Sequence, residues 1–198
     1  MKDFFATLGI KRTFAVESAA LERRFHLLQR DAHPDRFAAQ HPDLVESALE
    51  RSSEINEAYR ALRDPMQRTK HLLSLYGFSV DQAKKVPPTL LETVMNVQEK
   101  IAELEFAVNG NSEKVKAEMQ PLAEELRTKR LLLDHTLNTL RDEWDIKICH
   151  VVDPDTLSDA ERSILEKITS LLAERAYIST LLVTIEAAIK GESHILRH

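Results

Sequence analysis

Three consecutive residues, His33, Pro34 and Asp35, place an imidazole beside a carboxylate, and Arg36 follows them directly. Such groups bind metal ions, exchange protons, or form charge-assisted hydrogen bonds with a partner. His41 could add a second imidazole to a metal site. Helical i, i+4 spacing is absent, however, and Pro34 holds its neighbours in an extended relation. This arrangement disfavours a metal site, and we expect no metal, no cofactor and no catalytic residue in this chain.

The segment before the tripeptide has the pattern of an amphipathic helix. Its apolar residues fall within about 60° of one another at 100° per residue: Leu21, Phe25, Leu28 and Ala32. Arg23, His26 and Arg30 cluster on the opposite side. Taken alone, such a basic face is most simply a solvated helix surface. Because Pro34 stops the helix at His33, the tripeptide is predicted on an exposed loop beside this face.

The elements that must position these groups are helical. Apolar residues recur at helical spacing almost throughout and strand-like alternation is scarce, which predicts an all-α fold. In the first half we predict helices near Asp3–Leu8, Glu17–Ala32, Asp43–Arg63 and Pro65–Tyr76. The third carries a matching apolar stripe of Ala48, Ser52, Ile55, Tyr59 and Leu62. The second and third helices therefore form a hairpin that bears the tripeptide in its loop.

The second half is predicted to form a three-helix bundle. A capping-box spacing at Thr89–Glu92 opens a helix to about Val108. A second helix starts at Ser112, is broken or kinked by Pro121 near Gln120, and continues to Ile146. Another capping box at Ser158–Glu161 opens the last helix, which runs to Lys190 and stops at Gly191.

Proline and charge divide the chain into two predicted domains. Val80–Pro88 ends in a double proline, which cannot continue a helix and stiffens a linker. Before Ser79 there are 12 basic and 11 acidic residues, which leaves 15 basic and 21 acidic residues for the rest of the chain. We predict a first domain at 1–77, a linker at 78–88 and a partner-binding bundle at 89–198. The difference in charge between the two domains indicates that they bind different partners.

Composition excludes several function classes. With 4 glycines in 198 residues and no Gly-rich phosphate motif, a P-loop or Rossmann enzyme is disfavoured. A single cysteine, Cys149, excludes an intramolecular disulfide and a cysteine-only zinc or iron–sulfur site. The net charge of −5 argues against nucleic-acid binding. Neither an 18-residue apolar run nor a targeting segment is seen, so we expect no membrane span and a cytoplasmic location, or the matrix of an organelle if a presequence has already been removed.

Spaced motifs around the tripeptide carry a family resemblance. They are Phe4-Phe5-x-x-Leu8-Gly9, Leu21-x-x-x-Phe25-x-x-Leu28, His33-Pro34-Asp35-Arg36-Phe37, and Ile55-Asn56-x-Ala58-Tyr59-x-x-Leu62-x-Asp64-Pro65. Together they resemble a DnaJ-type J-domain across Asp3–Tyr76. The continuation, Arg68–Phe78, is similar to the HscB (heat-shock-cognate B) branch of that family. In that branch a C-terminal helical domain binds the scaffold on which iron–sulfur clusters are assembled.

The resemblance implies a co-chaperone rather than an enzyme. It would stimulate the ATPase of a heat-shock-cognate chaperone of the HscA/DnaK class and deliver an IscU-type iron–sulfur scaffold protein to it. The implied ATPase-binding residues are His33, Pro34, Asp35, Arg23, His26, Arg30 and Arg36. Arginines can pair with partner carboxylates, and Asp35 can accept a bidentate bond from a partner arginine.

The helix from Leu90 carries two apolar stripes. One would pack in the bundle: Leu90, Val94, Val97, Ile101, Leu104 and Val108. The other lies about 100° away, next to glutamates: Leu91, Met95, Ala102 and Phe106. For Ala102 and Phe106 we expect a place in the core. Leu91 and Met95 read as an exposed partner patch, and the family's scaffold-binding pattern maps onto Leu91, Met95, Glu99 and Glu103, departing from this sequence at Glu92 and Asn96.

Two other functions remain open at this point. The chain could be a J-domain adaptor for a different client, or a non-chaperone helical interaction protein that carries His-Pro-Asp by coincidence. Recovery of both an ATPase chaperone and a cluster scaffold from a cell extract would separate these classes. The remaining histidines, such as His71 and His135, are interpreted as surface or hydrogen-bonded polar residues, and the roles of Cys149 and of the loop Cys149–Leu157 are not predicted.

Overall fold

The structure, a computed structural model, describes residues 2–37, 42–80, 86–106, 111–148 and 156–191. Regular structure within these ranges is helical and contains no strand, which confirms the predicted all-α fold. The α-helices are α1 (Phe4–Leu8), α2 (Ser18–Asp31), α3 (Pro42–Arg63), α4 (Pro65–Leu75), α5 (Leu91–Glu105), α6 (Asn111–Ile148) and α7 (Asp159–Lys190).

Two compact units make up the chain. The first contains Met1–Ser79 and Arg141–Leu165, and the second contains Val80–Leu140 and Glu166–His198. Helices α6 and α7 therefore contribute residues to both units. The predicted first domain, 1–77, lies within the first unit, and residues 81–85 of the predicted linker lie outside the described residues. The domain boundaries stay a prediction.

Local hydrogen bonds explain where the first helices begin and end. Asp3 caps α1 by accepting from the N–H groups of Phe5 and Ala6, at 2.9 and 3.1 Å. Gly9 ends α1 with φ +62°, and a Cβ there would lie 2.6 Å from Arg24 Nη2. Asp64 caps α4, with Pro65 in its first turn, as predicted. The observed bounds of α1–α4 agree with the predicted ones to within one or two residues.

In the first unit, the loop between α1 and α2 is held by a cluster that sequence reasoning did not predict. Asp145, near the end of α6, accepts from the N–H groups of Phe14 and Ala15, both at 2.7 Å. Arg68 donates to the Phe14 carbonyl at 2.8 Å. Beside them Trp144 is fully buried and meets the Phe14 ring edge-on. Phe14 is thus fixed through both its peptide groups and its ring.

The core of the second unit is built from α5, α6 and α7, which form the predicted three-helix bundle. The buried residues at its centre include Leu90, Val94, Val97, Met119, Leu126, Ile178 and Ile185. By length and composition alone, α7 could also cross a membrane. Since Ile178, Leu182 and Ile185 of α7 lie in this core, bundle packing accounts for its apolar character.

One prediction for the second unit is wrong, and another is corrected in part. The capping box at Thr89–Glu92 does not form, because the Thr89 hydroxyl donates to Glu174 at 2.9 Å and a 3-10 turn at Pro88–Leu90 precedes α5. Of the break or kink predicted at Pro121, the break does not occur, because α6 is continuous from Asn111 to Ile148. Pro121 and Ala117 are both exposed, so water can reach the Ala117 carbonyl that loses its helical donor.

The second predicted capping box is confirmed. The N–H and hydroxyl of Ser158 both donate to Glu161 at 2.7 Å, and the Glu161 N–H donates back to the Ser158 hydroxyl at 3.3 Å. The helix then runs to Lys190, and Gly191 follows with φ +78°, as predicted. Val108, Cys149 and most of the predicted loop at 149–157 lie outside the described residues.

Candidate partner-binding site

The tripeptide forms a short exposed turn after α2. His33 is extended, with φ −69° and ψ 127°, which is the conformation that a following proline favours. Its Nδ1 accepts from the Asp35 N–H at 3.2 Å, and its carbonyl accepts from the Arg36 N–H at 3.1 Å. The side chains of His33 and Asp35 are 56% and 88% exposed. The predicted exposure is confirmed, and the turn is stabilised by its own hydrogen bonds.

Two of the predicted basic residues converge on an acid that the sequence analysis did not single out. Arg36 Nη1 lies 3.0 Å from Asp31 Oδ1, and Arg30 Nε lies 3.4 Å from the same oxygen. Asp31 is the last residue of α2, directly before the turn. The carboxylate thus holds two guanidinium groups beside the turn. The sequence did offer a clue to this cluster, because an acidic residue and two basic residues lie close together on either side of Pro34.

The other two predicted residues, Arg23 and His26, lie earlier on α2, further from the turn. Arg23 and His26 face Glu17 and Glu22 at 4.0 and 3.9 Å, and all four side chains are mostly exposed. Exposed pairs at such distances contribute little to stability. A partner carboxylate can therefore replace these intramolecular contacts at small cost, which keeps this face suited to docking.

Helix α3 supports the turn from behind. The rings of Phe25 and Tyr59 stack with centroids 4.2 Å apart. Gln29 donates to the Ser52 carbonyl at 3.0 Å and accepts from the Ser52 hydroxyl at 2.8 Å. Together with the burial of Leu21, Ala48 and Ile55, these contacts fix α2 against α3 as the predicted hairpin.

A second candidate surface lies on α5. Leu91 and Met95 are 54% and 63% exposed, which confirms their predicted exposure. The prediction that Ala102 and Phe106 belong to the core is wrong, because Ala102 is exposed and Phe106 is 82% exposed. The bundle takes one stripe of α5, centred on Val94 and Val97, and leaves the neighbouring stripe to solvent.

The glutamates beside this stripe differ in their contacts. Glu103 accepts from Lys100 at 2.9 Å, and Lys100 also donates to Glu118 of α6 at 2.7 Å. These two hydrogen bonds raise the pKa of Lys100, and the bond to Lys100 lowers the pKa of Glu118. Glu99 is exposed one turn before Glu103. Lys100 therefore holds the Glu103 carboxylate in place. The sequence analysis did not include this pair, although the i, i+3 spacing of Lys100 and Glu103 could have indicated it.

The described residues contain no group of three or more His, Cys, Asp or Glu side chains arranged to hold a metal ion. His41, the second imidazole of the alternative metal site, lies outside those residues. His71 is half-buried and accepts from the Phe4 N–H at 3.1 Å, in keeping with its interpretation as a hydrogen-bonded polar residue. Its burial lowers the pKa of the imidazole.

No protein-family model matches the chain. A co-chaperone protein HscB homolog from Burkholderia vietnamiensis is 34% identical over 140 residues, which cover 70% of this chain and 77% of that protein. The chain belongs to the HscB co-chaperone family. The co-chaperone protein HscB of Proteus mirabilis is 29% identical over 147 residues, covering 73% of this chain and 83% of the relative.

A solved HscB structure shares the fold. The crystal structure of the human co-chaperone protein HscB matches with a TM-score of 0.53 and 23% identity, covering 94% of this chain and 81% of the human chain. The HscB resemblance drawn from Arg68–Phe78 is confirmed by the two relatives, and the helical architecture is confirmed by the shared fold.

Proposed function

We propose that this HscB-family chain is an adaptor between an ATPase chaperone and a client. Its predicted first domain, residues 1–77, is a J-domain that stimulates a heat-shock-cognate chaperone of the HscA/DnaK class, and its bundle carries an IscU-type iron–sulfur scaffold protein. The chain itself catalyses no reaction in this proposal, and it works in the cytoplasm. The single observation that carries the proposal is the exposed turn of His33, Pro34 and Asp35 beside the basic face of α2.

The turn suits recognition by a charged partner. Its hydrogen bonds hold the backbone in one conformation, so little conformational entropy is lost on docking. Asp35 projects an exposed carboxylate that can accept a bidentate bond from a partner arginine. Arg23 and Arg30 offer positive charge along α2, and His26 offers a hydrogen-bonding imidazole between them, which supports docking on an acidic chaperone surface.

The client surface proposed on α5 combines apolar and acidic groups. Leu91 and Met95 are exposed apolar side chains in the first two turns of the helix, and Glu99 and Glu103 follow on an adjoining face. An apolar patch with a polar rim is the usual composition of a docking site. The scaffold-binding role of these four residues rests on the family resemblance together with this exposure.

Two substitutions in the turn test the ATPase arm. His33→Gln and Asp35→Asn should remove most stimulation of a purified heat-shock-cognate chaperone, without changing the melting temperature, because both side chains are exposed. Glu57→Gln, an exposed carboxylate elsewhere on α3, is the matched control. Arg23→Ala and Arg30→Ala should weaken stimulation less at high salt, where charge attraction is screened. Full stimulation by His33→Gln would refute the proposed role of the turn.

A double substitution tests the client arm. Leu91→Ala/Met95→Ala should lower scaffold affinity roughly thirtyfold, the effect of losing about 2 kcal/mol at an interface anchor. It should leave basal ATPase stimulation unchanged. Leu131→Ala, an equally exposed leucine on α6, should bind like wild type. A large fall in melting temperature with unchanged affinity would instead assign Leu91 and Met95 to the core.

The pattern of results also separates the alternatives. Stimulation that depends on Asp35, without any scaffold binding, would indicate a J-domain adaptor for another client. The absence of stimulation by the wild-type protein with every heat-shock-cognate chaperone tested would favour a non-chaperone interaction protein.

A further inference from the structure

The exposed stripe of α5 is longer than the patch assigned to the client. At 100° per residue, Leu91, Met95, Ala102 and Phe106 fall within about 60° of one another. At 1.5 Å per residue the distance from Leu91 to Phe106 along the helix is about 22 Å. Phe106 immediately follows α5, and its N–H still bonds to the Ala102 carbonyl, so it extends the same face. We call these four residues the α5 strip.

Phe106 is the most exposed large apolar side chain of the described residues, at 82%. An aromatic ring left in water forgoes a large burial free energy, and aromatic residues are over-represented among interface anchors. Because Val94 and Val97 already supply the buried stripe of α5, the bundle has no need of Phe106. The exposure is therefore a feature of the surface rather than of the core.

Charge around the α5 strip restricts what can cover it. Glu92, Glu99 and Glu103 fall between about 80° and 120° from Leu91, along one border of the strip, and Glu105 lies on the other side. Lys100 is the only basic residue of α5, and it is directed at Glu103 and Glu118. A second copy of this chain would bring like charges together at that border, which disfavours self-association.

We propose that the α5 strip is one continuous docking surface for a client with an apolar ridge flanked by Lys or Arg, and that Phe106 anchors its far end. This proposal rests on the proposed client function of α5 and extends it from the start of the helix to its end. Leu91 and Met95 contact one end of the ridge, Phe106 contacts the other, and the glutamates of the border pair with the basic flank.

Titration calorimetry of the full chain with a purified iron–sulfur scaffold protein tests the proposal. Phe106→Ala should weaken binding about 10- to 30-fold, as expected for an interface anchor, and Phe106→Leu should recover most of the affinity. Binding by the wild type should weaken as salt rises from low to high concentration. Neither variant should change the melting temperature.

Leu131→Ala is the matched control because Leu131, also on a helix of the bundle, is 66% exposed. Lys100 of α5 reaches Glu118 on α6, and at 100° per residue Leu131 points about 140° away from Glu118. Its truncation should therefore leave scaffold affinity at the wild-type value. A comparable loss in Leu131→Ala and Phe106→Ala would show a general effect of surface truncation and would overturn the anchor role.

The outcomes distinguish the two levels of the proposal. If Phe106→Ala binds like wild type while Leu91→Ala/Met95→Ala binds weakly, the extended strip is wrong and the client function stands. If the wild-type protein binds no scaffold, both are overturned. Binding that does not depend on salt would refute the proposed basic flank of the client. A lowered melting temperature in Phe106→Ala would place the ring in the core. A wild-type dimer that dissociates in Phe106→Ala would assign the strip to self-association.

Discussion

Replacement of Asp145 by alanine should destabilise the first unit, because this carboxylate holds the loop between α1 and α2. The carboxylate accepts from the N–H groups of Phe14 and Ala15 at 2.7 Å each, and the alanine side chain has no acceptor that could replace it. A hydrogen bond to a charged group contributes about 1.5–3 kcal/mol. The Phe14 N–H is part-buried, whereas the exposed Ala15 N–H can bond to water after the substitution.

Burial of the carboxylate reduces this figure. Desolvation is the largest single influence on the pKa of Asp145 and raises it, while the two backbone hydrogen bonds act to lower it, and the net shift is upward. Removing the carboxylate therefore recovers some desolvation free energy while it leaves the Phe14 N–H without its acceptor. The net cost is about 2 kcal/mol, which corresponds to a fall of about 4–8 °C in melting temperature for a chain of this size.

Thermal unfolding followed by circular dichroism measures the effect, with Asp142→Ala as the control. Asp142 is an exposed carboxylate three residues earlier on α6, and its removal changes the net charge equally. Because the charge of Asp142 helps to raise the pKa of Asp145, its removal relieves a repulsion and should not lower the melting temperature. A raised folded-state pKa has a definite sign: the contribution of Asp145 titration to stability is largest at low pH and declines as the pH rises through that pKa. Equal melting temperatures for Asp145→Ala, Asp142→Ala and wild type at pH 7 would refute the conclusion that the Asp145 carboxylate stabilises the loop between α1 and α2.

Two further substitutions probe single contacts. His71 accepts from the Phe4 N–H as a neutral imidazole and burial lowers its pKa, so the stability it contributes is complete above its unfolded pKa of about 6.5 and declines as the pH falls below it. His71→Gln should flatten the dependence of melting temperature on pH between about 7.5 and about 5.5, measured at intervals of about one pH unit. An equal dependence on pH in His71→Gln and the wild type would contradict this. Glu161→Ala removes the capping box at α7 and should cost about 1 kcal/mol in denaturant unfolding, whereas the exposed Glu166→Ala should cost almost nothing.

Short-range patterns predicted most of the helical framework. Pro34 and Pro65 impose backbone geometry directly, and the Ser158–Glu161 box closes on itself within four residues, so these features could be predicted from local sequence. The Thr89 box was wrong because Glu174, 85 residues away, provides the acceptor for its hydroxyl. A local pattern cannot show such a competitor.

Long-range contacts and exposure were the harder part of the site. The cluster of Asp145, Phe14 and Arg68 joins residues that are more than 50 positions apart, and no spacing rule connects them. Phe106 was placed in the core because hydrophobicity favours burial, but the width of the stripe that the bundle covers depends on how the three helices pack. The exposure of Leu91 and Met95 was predicted correctly because Leu90, Val94 and Val97 already completed a buried stripe.

The hydrogen bond inside the turn also selects a tautomer. Because His33 Nδ1 accepts from the Asp35 N–H, the proton of the neutral ring lies on Nε2. The ring therefore offers a donor to a partner, and the neighbouring Asp35 carboxylate offers an acceptor. The two residues form a polarised pair. Under the proposed function, the chaperone surface that docks here would present an acceptor and a donor in matching order. A side chain at position 33 that caps the turn but points an acceptor outward would keep the backbone shape and reverse the polarity of the recognition element.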